Sequence, residues 1–162
     1  MNPMLSSIGN YIHFWDIFKY TMNHKFFYFI FTLVLVPFCG NSQATLKVSV
    51  HAIKEPKGEL FIGLYNSEST FKNIDSVYLD KIIPIDSSIM VTYFEGLPPG
   101  YYALTMFQDK NSNGEMDKGI FGQPTEKYGF SNNPKIMFKS PGFDKCMFQV
   151  TERDTTVYIK MK

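Results

Sequence analysis

The chain has 162 residues, room for one domain and little more, with 16 Lys and Arg against 15 Asp and Glu and a formal charge of +1. Residues 1–42 hold Lys19, Lys25 and Asp16, so the remainder balances at 14 basic and 14 acidic side chains, and Arg153 is the sole arginine. A neutral, arginine-poor chain is ill suited to neutralising nucleic-acid phosphates or to attraction by an anionic membrane surface.

Lys25 precedes the apolar run Phe26–Phe38. Its length fits the h-region of a signal peptide and falls short of the roughly 20 residues a spanning helix needs. Gly40 and Ser42 follow at the small-x-small spacing of a cleavage site, which predicts a cut after Ser42 and Gln43 as the new N-terminus. Met22, His24 and Lys25 form a short n-region, so Met22 reads as the true start and residues 1–21 as an extension. The chain thus divides into an extension with a signal-peptide helix, 1–42, and one domain, 43–162. That domain is expected to be periplasmic or secreted, with no membrane span in its mature form. Two alternatives keep it on the membrane: an uncleaved signal anchor, or lipidation of Cys39, against which the bulky Phe38 before it counts.

Strands follow in order. Thr45–Lys54 alternates, with Leu46, Val48, Val50 and Ala52 on one face, and Glu59–Tyr65 alternates through Leu60, Ile62 and Leu64. Glu55-Pro56-Lys57-Gly58 between them is a turn, so the two are expected to form a hairpin. Asn66–Ser76 is polar and connecting, with Phe71 as an anchor. Val77–Ile85 contains Pro84 and reads as an edge strand. Ile89–Glu95 and Tyr101–Gln108 are strands joined by Gly96-Leu97-Pro98-Pro99-Gly100. Pro134–Gly142 stays open between loop and a short strand at Ile136–Phe138, and Cys146–Val150 and Thr155–Met161 close the chain. About seven short strands with no helix after the signal predict an all-β, Ig-like or prealbumin-like two-sheet sandwich.

Phe94–Asp109, FEGLPPGYYALTMFQD, resembles the strand-turn-strand of transthyretin-like and carboxypeptidase-regulatory-like sandwich domains. The longer series GLPPGYYAL, DKNSNGEMD, FGQPTEKYGFSNN and SPGFDKCMF resembles the exported bacterial domain of unknown function numbered 2141. The resemblance covers roughly residues 46–162 and implies an exported β-sandwich. It supplies no reaction and no catalytic residues.

Asp109-x-Asn111-x-Asn113-Gly114-x-x-Asp117 matches the first nine positions of a calcium loop. Oxygens at alternate positions converge as the backbone curls, Gly114 supplies a positive-φ turn, and the carbonyl of Glu115 falls at the seventh position. The twelfth position, where a bidentate Glu belongs, is Ile120, and no flanking helices are predicted, so the loop is not an EF-hand. Calcium is the implied cofactor, with Glu126 or solvent supplying missing oxygens. The competing reading is a turn in which Asx side chains bond their own backbone. Glu126, Tyr128, Ser131, Asn132 and Asn133 form a second candidate, a ligand-binding loop. Against it stands a structural reading, in which Tyr128 and Phe130 pin the loop to the sheet and the asparagines satisfy backbone groups.

Cys146 is the one cysteine beyond residue 42 and is expected to share a core face with Phe148 and Val150. His51 is the one histidine there and so the one basic imidazole a Cys146 nucleophile could use, which disfavours a catalytic thiol, and one His with one Cys cannot make a closed zinc site. No nucleophile elbow, zinc-protease helix or P-loop motif occurs. The sequence therefore favours an exported binding or interaction module of the cell envelope, with an envelope protein or glycan as partner and no catalytic residues assigned. The alternatives are an envelope hydrolase using the loop carboxylates and a structural accessory domain without a ligand.

Overall fold

The computed structural model describes residues 43–136 and 139–162. The signal peptide and the other expectations for residues 1–42 lie outside the described residues, as does most of the short strand considered at Ile136–Phe138. Eight strands occur among the described residues: β1 (Ala44–His51), β2 (Glu59–Tyr65), β3 (Leu79–Pro84), β4 (Met90–Leu97), β5 (Gly100–Asp109), β6 (Tyr128–Phe130), β7 (Phe148–Val150) and β8 (Thr155–Lys160). Helix among the described residues is limited to a 3-10 turn at Ile74–Ser76 and one short helix, α1 (Phe143–Cys146). The first sheet has the order β4-β1-β8, with β1 antiparallel to β4 and parallel to β8. The second has the order β3-β2-β5-β6, with β7 also pairing to β5. The all-β two-sheet architecture is the one the alternation predicts.

The core lies between the sheets. Leu46, Val48 and Val50 of β1 meet Leu60, Ile62 and Leu64 of β2 and Tyr102, Leu104 and Met106 of β5, all buried. Burying each such aliphatic side chain contributes about 1.5–3 kcal/mol, which fixes the inward face of every strand. β3 is a sheet edge, as its proline predicts, and Pro84 is its last residue.

Three expectations are corrected. β1 and β2 do not form a hairpin: they belong to different sheets. Ala52 turns the chain with φ +65, Ile53 is buried with its N–H bonded to the Ser88 carbonyl at 3.3 Å, and the chain crosses from one layer to the other. Alternation records that one face is buried and leaves open which strand lies alongside. Second, Tyr128–Phe130, read as irregular loop, is a short strand that pairs with β5 from Thr105 to Phe107. Three residues are too few to show a period. Third, Cys146 ends α1 rather than opening a strand. It packs with Ala103 and Phe130 in a small cluster separate from the one holding Val150 and Phe148.

Leu97-Pro98-Pro99-Gly100 also carries the chain between sheets, from β4 to β5. The Tyr102 hydroxyl donates to the Pro98 carbonyl at 2.8 Å and closes this corner, and burial pushes its phenol above the ordinary value. β5 is the longest strand, and it delivers Asp109 to the place where the loop begins. Gly58 in the β1–β2 connection touches that end of β5 so closely that a Cβ there would lie 1.9 Å from the Asp109 carbonyl oxygen. Only glycine fits.

Candidate functional site: an oxygen-rich loop beside an aromatic groove

Asp109 is fully buried under the turn it starts. Its Oδ1 accepts from the Asn113 N–H at 3.3 Å and its Oδ2 from the Gly114 N–H at 2.7 Å. Asn111 Oδ1 also accepts from the Asn113 N–H, and Asn113 Oδ1 from the Glu115 N–H. The two amide groups then donate to Asp117: Asn111 Nδ2 to Oδ2 at 2.9 Å and Asn113 Nδ2 to Oδ1 at 3.0 Å. Ser112 at φ +57 and Gly114 at φ +80 curl the backbone so that these side chains face one another. Glu126, buried, closes the loop at its base, with Oε1 accepting from Lys110 N–H at 2.8 Å and Oε2 from Asp117 N–H at 3.2 Å.

The donor set suits calcium in kind: two carboxylates, two amide oxygens and the Glu115 carbonyl, all hard oxygen ligands. A carboxylate oxygen that accepts one N–H keeps a lone pair for a cation, so the Asp109 bonds are compatible with ligation. At Asp117 two amide NH₂ groups hold the positions a cation would take. Calcium must displace both, and each amide must present its oxygen instead. The residue types are those calcium takes, and binding would cost two existing hydrogen bonds. Every oxygen of Asp109, Asp117 and Glu126 already accepts an N–H.

The second candidate set divides. Glu126 belongs to the oxygen-rich loop. Ser131 is fully buried, accepts from the Leu104 N–H at 2.9 Å and donates to the Cys146 carbonyl at 2.6 Å. Asn132 and Asn133 both adopt left-handed backbone, at φ +62 and +48. Asn132 Nδ2 donates to the Met147 carbonyl, while Asn133 accepts from the Lys160 N–H and donates to the Tyr158 carbonyl. These three residues join β5, α1 and β8. Tyr128 stands apart from them, on the outer face of the second sheet.

That outer face carries a feature the sequence reading missed. The residues of β2 and β5 that point away from the core include Phe61 and Phe107, which stack at 4.8 Å between centroids. Direct register partners extend them into one row across four strands, Ile82–Phe61–Phe107–Tyr128. The row floors a groove of about 980 Å³. Beside the row, the Tyr65 ring lies over Gly63 near the Thr105 side chain, with burial holding this phenol above its ordinary value. The signal was present: Phe61 and Phe107 sit at the outward parity of strands whose inward faces are apolar.

Part of the groove is lined by a small hairpin inside the stretch read as irregular. Lys118 and Pro124 bridge, Gly119 N–H bonds the Gln123 carbonyl and Gly122 N–H the Gly119 carbonyl, leaving Ile120 and Phe121 at the tip. The Thr125 N–H bonds the Asp117 carbonyl, so the hairpin grows directly from the oxygen-rich loop. On the first sheet, Ser49 Oγ and His51 Nε2 lie 2.9 Å apart, an imidazole–hydroxyl pair on a different sheet from the loop carboxylates.

A family model described as an uncharacterized protein conserved in bacteria, DUF2141, matches residues 48–158. The chain belongs to this family. The DUF2141 match takes in the oxygen-rich loop, the hairpin and the groove floor, and the family's description assigns no activity to any of them. No curated protein and no solved structure matches the chain. Among the described residues of this DUF2141 protein, no helix is long and apolar enough to cross a membrane.

Proposed function

We propose that this DUF2141 protein is an exported, transthyretin-like binding module of the cell envelope, periplasmic or secreted after cleavage behind Ser42. It receives its ligand on the outer face of the second sheet, beside a calcium-braced loop. One observation carries the reading: four apolar side chains in register, Ile82, Phe61, Phe107 and Tyr128, line an open groove where a sandwich ordinarily turns polar residues to water. Calcium is held by Asp109, Asn111, Asn113, the Glu115 carbonyl and Asp117. Its role is to stiffen the base of the hairpin that lines the groove. With the bidentate Glu position occupied by Ile120 and two amide bonds to displace, affinity falls in the weak extracellular range, on the order of 10⁻⁴ to 10⁻³ M.

The test begins with expression of the full chain in an exporting host. The protein is expected outside the cytoplasm, with an intact mass that starts at Gln43. It should bind an uncharged hydrophobic dye, and the dye should be lost when Phe121, at the hairpin tip, becomes Ser. A protein retained in the cytoplasm would defeat the export part, and dye binding indifferent to Phe121→Ser would defeat the assignment of the groove.

A further inference from the structure

Taking the groove as the binding face, we propose that its occupant is an anionic amphiphile: a free long-chain carboxylate whose chain lies on the aromatic floor and whose head meets lysines at the rim. The floor supplies the first argument. The row from Ile82 to Tyr128 crosses three inter-strand steps of about 4.8 Å, an apolar track roughly 14 Å long. Its surroundings supply the second. Phe121 is 92% exposed and Ile74 68%, and both line this groove beside the row. Large apolar side chains left in water around one concavity mark a place where apolar surface is to be covered.

Polarity argues for a chain rather than a sugar. A glycan brings many hydroxyls that need partners, and unpaired ones are costly when desolvated. The floor row of Ile82, Phe61, Phe107 and Tyr128 offers a single hydroxyl, that of Tyr128 at its end. Charge selects the head group. Lys118 and Lys139 are exposed at the rim with no side-chain acceptor among the described residues, and Asp80 is the acid beside them. Lys72, also at the groove, donates to Ser140 Oγ and the Pro141 carbonyl, which leaves it one further N–H. A rim with a positive excess on a domain that is neutral as a whole is complementary to an anion.

The experiment uses the protein recovered by exporting the full chain, stripped of bound lipid. It is titrated by calorimetry with dodecanoate, dodecanol, a neutral oligosaccharide and phosphatidylglycerol vesicles. Dodecanoate should bind saturably, one per chain, and at least about tenfold tighter than dodecanol. Phe121→Ser should weaken both by about tenfold, the scale of losing one buried aromatic contact. Lys118→Glu with Lys139→Glu should abolish the preference for the carboxylate while dodecanol binding persists. All three substituted positions are exposed, so folding should be retained. Equal binding of dodecanol and dodecanoate would overturn the anionic head while leaving the groove as the binding face. Binding of vesicles alone, or of the oligosaccharide in place of dodecanoate, would overturn the occupant. If no apolar probe binds and Phe121→Ser changes nothing, the binding-module reading falls together with this one.

Discussion

Between Asp109 and Asp117 the side-chain hydrogen bonds span two to six residues of sequence. A few residues later, those of Ser131, Asn132 and Asn133 span 15 to 27. The residue types are nearly the same, and the difference is in what each segment lies against. The first projects beyond the end of β5 and, apart from its base, where Glu126 accepts from Lys110 and Asp117 and Lys110 pairs with Glu55, bonds within itself, so it knots. The second runs through α1, β5 and β8 and has their unpaired backbone groups within reach, so it ties. Local knots can exchange partners for a cation with little disturbance elsewhere. A tie between strands cannot be loosened without exposing buried backbone groups.

The largest effect is expected from cutting a tie. Ser131→Ala leaves the buried Leu104 N–H and Cys146 carbonyl without their partner. At about 1–3 kcal/mol per unsatisfied buried group, the loss should be about 2–4 kcal/mol, read as a lower urea midpoint with unchanged slope. A change below about 0.5 kcal/mol would show that the tie is decorative.

Next comes the knot. Asp109→Ala removes a buried carboxylate and two N–H acceptors, and about 2–3 kcal/mol should be lost, since bonds to charged groups are worth about 1.5–3 kcal/mol and water can reach part of the loop. The same change should abolish any calcium-dependent rise in melting temperature. In the unaltered protein, calcium at ten times its dissociation constant should add about 1.4 kcal/mol. That corresponds to about 4 °C or more, and magnesium should give less. Asn132→Ala, on the tie, should leave the calcium shift intact. A melting temperature unmoved up to millimolar calcium would leave a self-satisfied Asx turn and remove the metal.

Smaller still is the corner. Tyr102→Phe deletes the bond to Pro98 while keeping the ring, and about 1 kcal/mol should be lost. An unchanged midpoint would mean the two prolines hold the corner unaided.

The smallest effect concerns Cys146, which the tie covers. Burial pushes its thiol from the ordinary value of 9.0 to about 11. An acid whose pKa is raised on folding contributes stability that is present below pH 9 and is lost as pH climbs toward about 11, because the unfolded thiol ionises first. Thiol labelling at neutral pH should therefore be slow in the native protein and fast after denaturation. Ser131→Ala should speed the native rate, since Ser131 holds the Cys146 carbonyl. Rapid labelling of the unaltered protein would contradict the burial.

The sequence by itself determined the inward faces of β1 and β2, though not of Ala52, which lies exposed past the end of β1, together with the edge position of β3 and the two-sheet class. Each of those follows from which atoms must leave water, a property written residue by residue. It also determined the turn at Asp109–Asp117, because Asx side chains and a left-handed glycine act within a few residues. Which strands became neighbours was decided only in three dimensions. β1 and β2 carry the same alternation whether they pair or face each other, and the tertiary structure chose facing. Tyr128–Phe130 became a strand only because β5 offered an open edge. Ser131–Asn133 found partners on chain segments far off in sequence. The aromatic row existed as four separate outward residues until register set them side by side, since cross-strand adjacency is a property of the sheet and of no single strand.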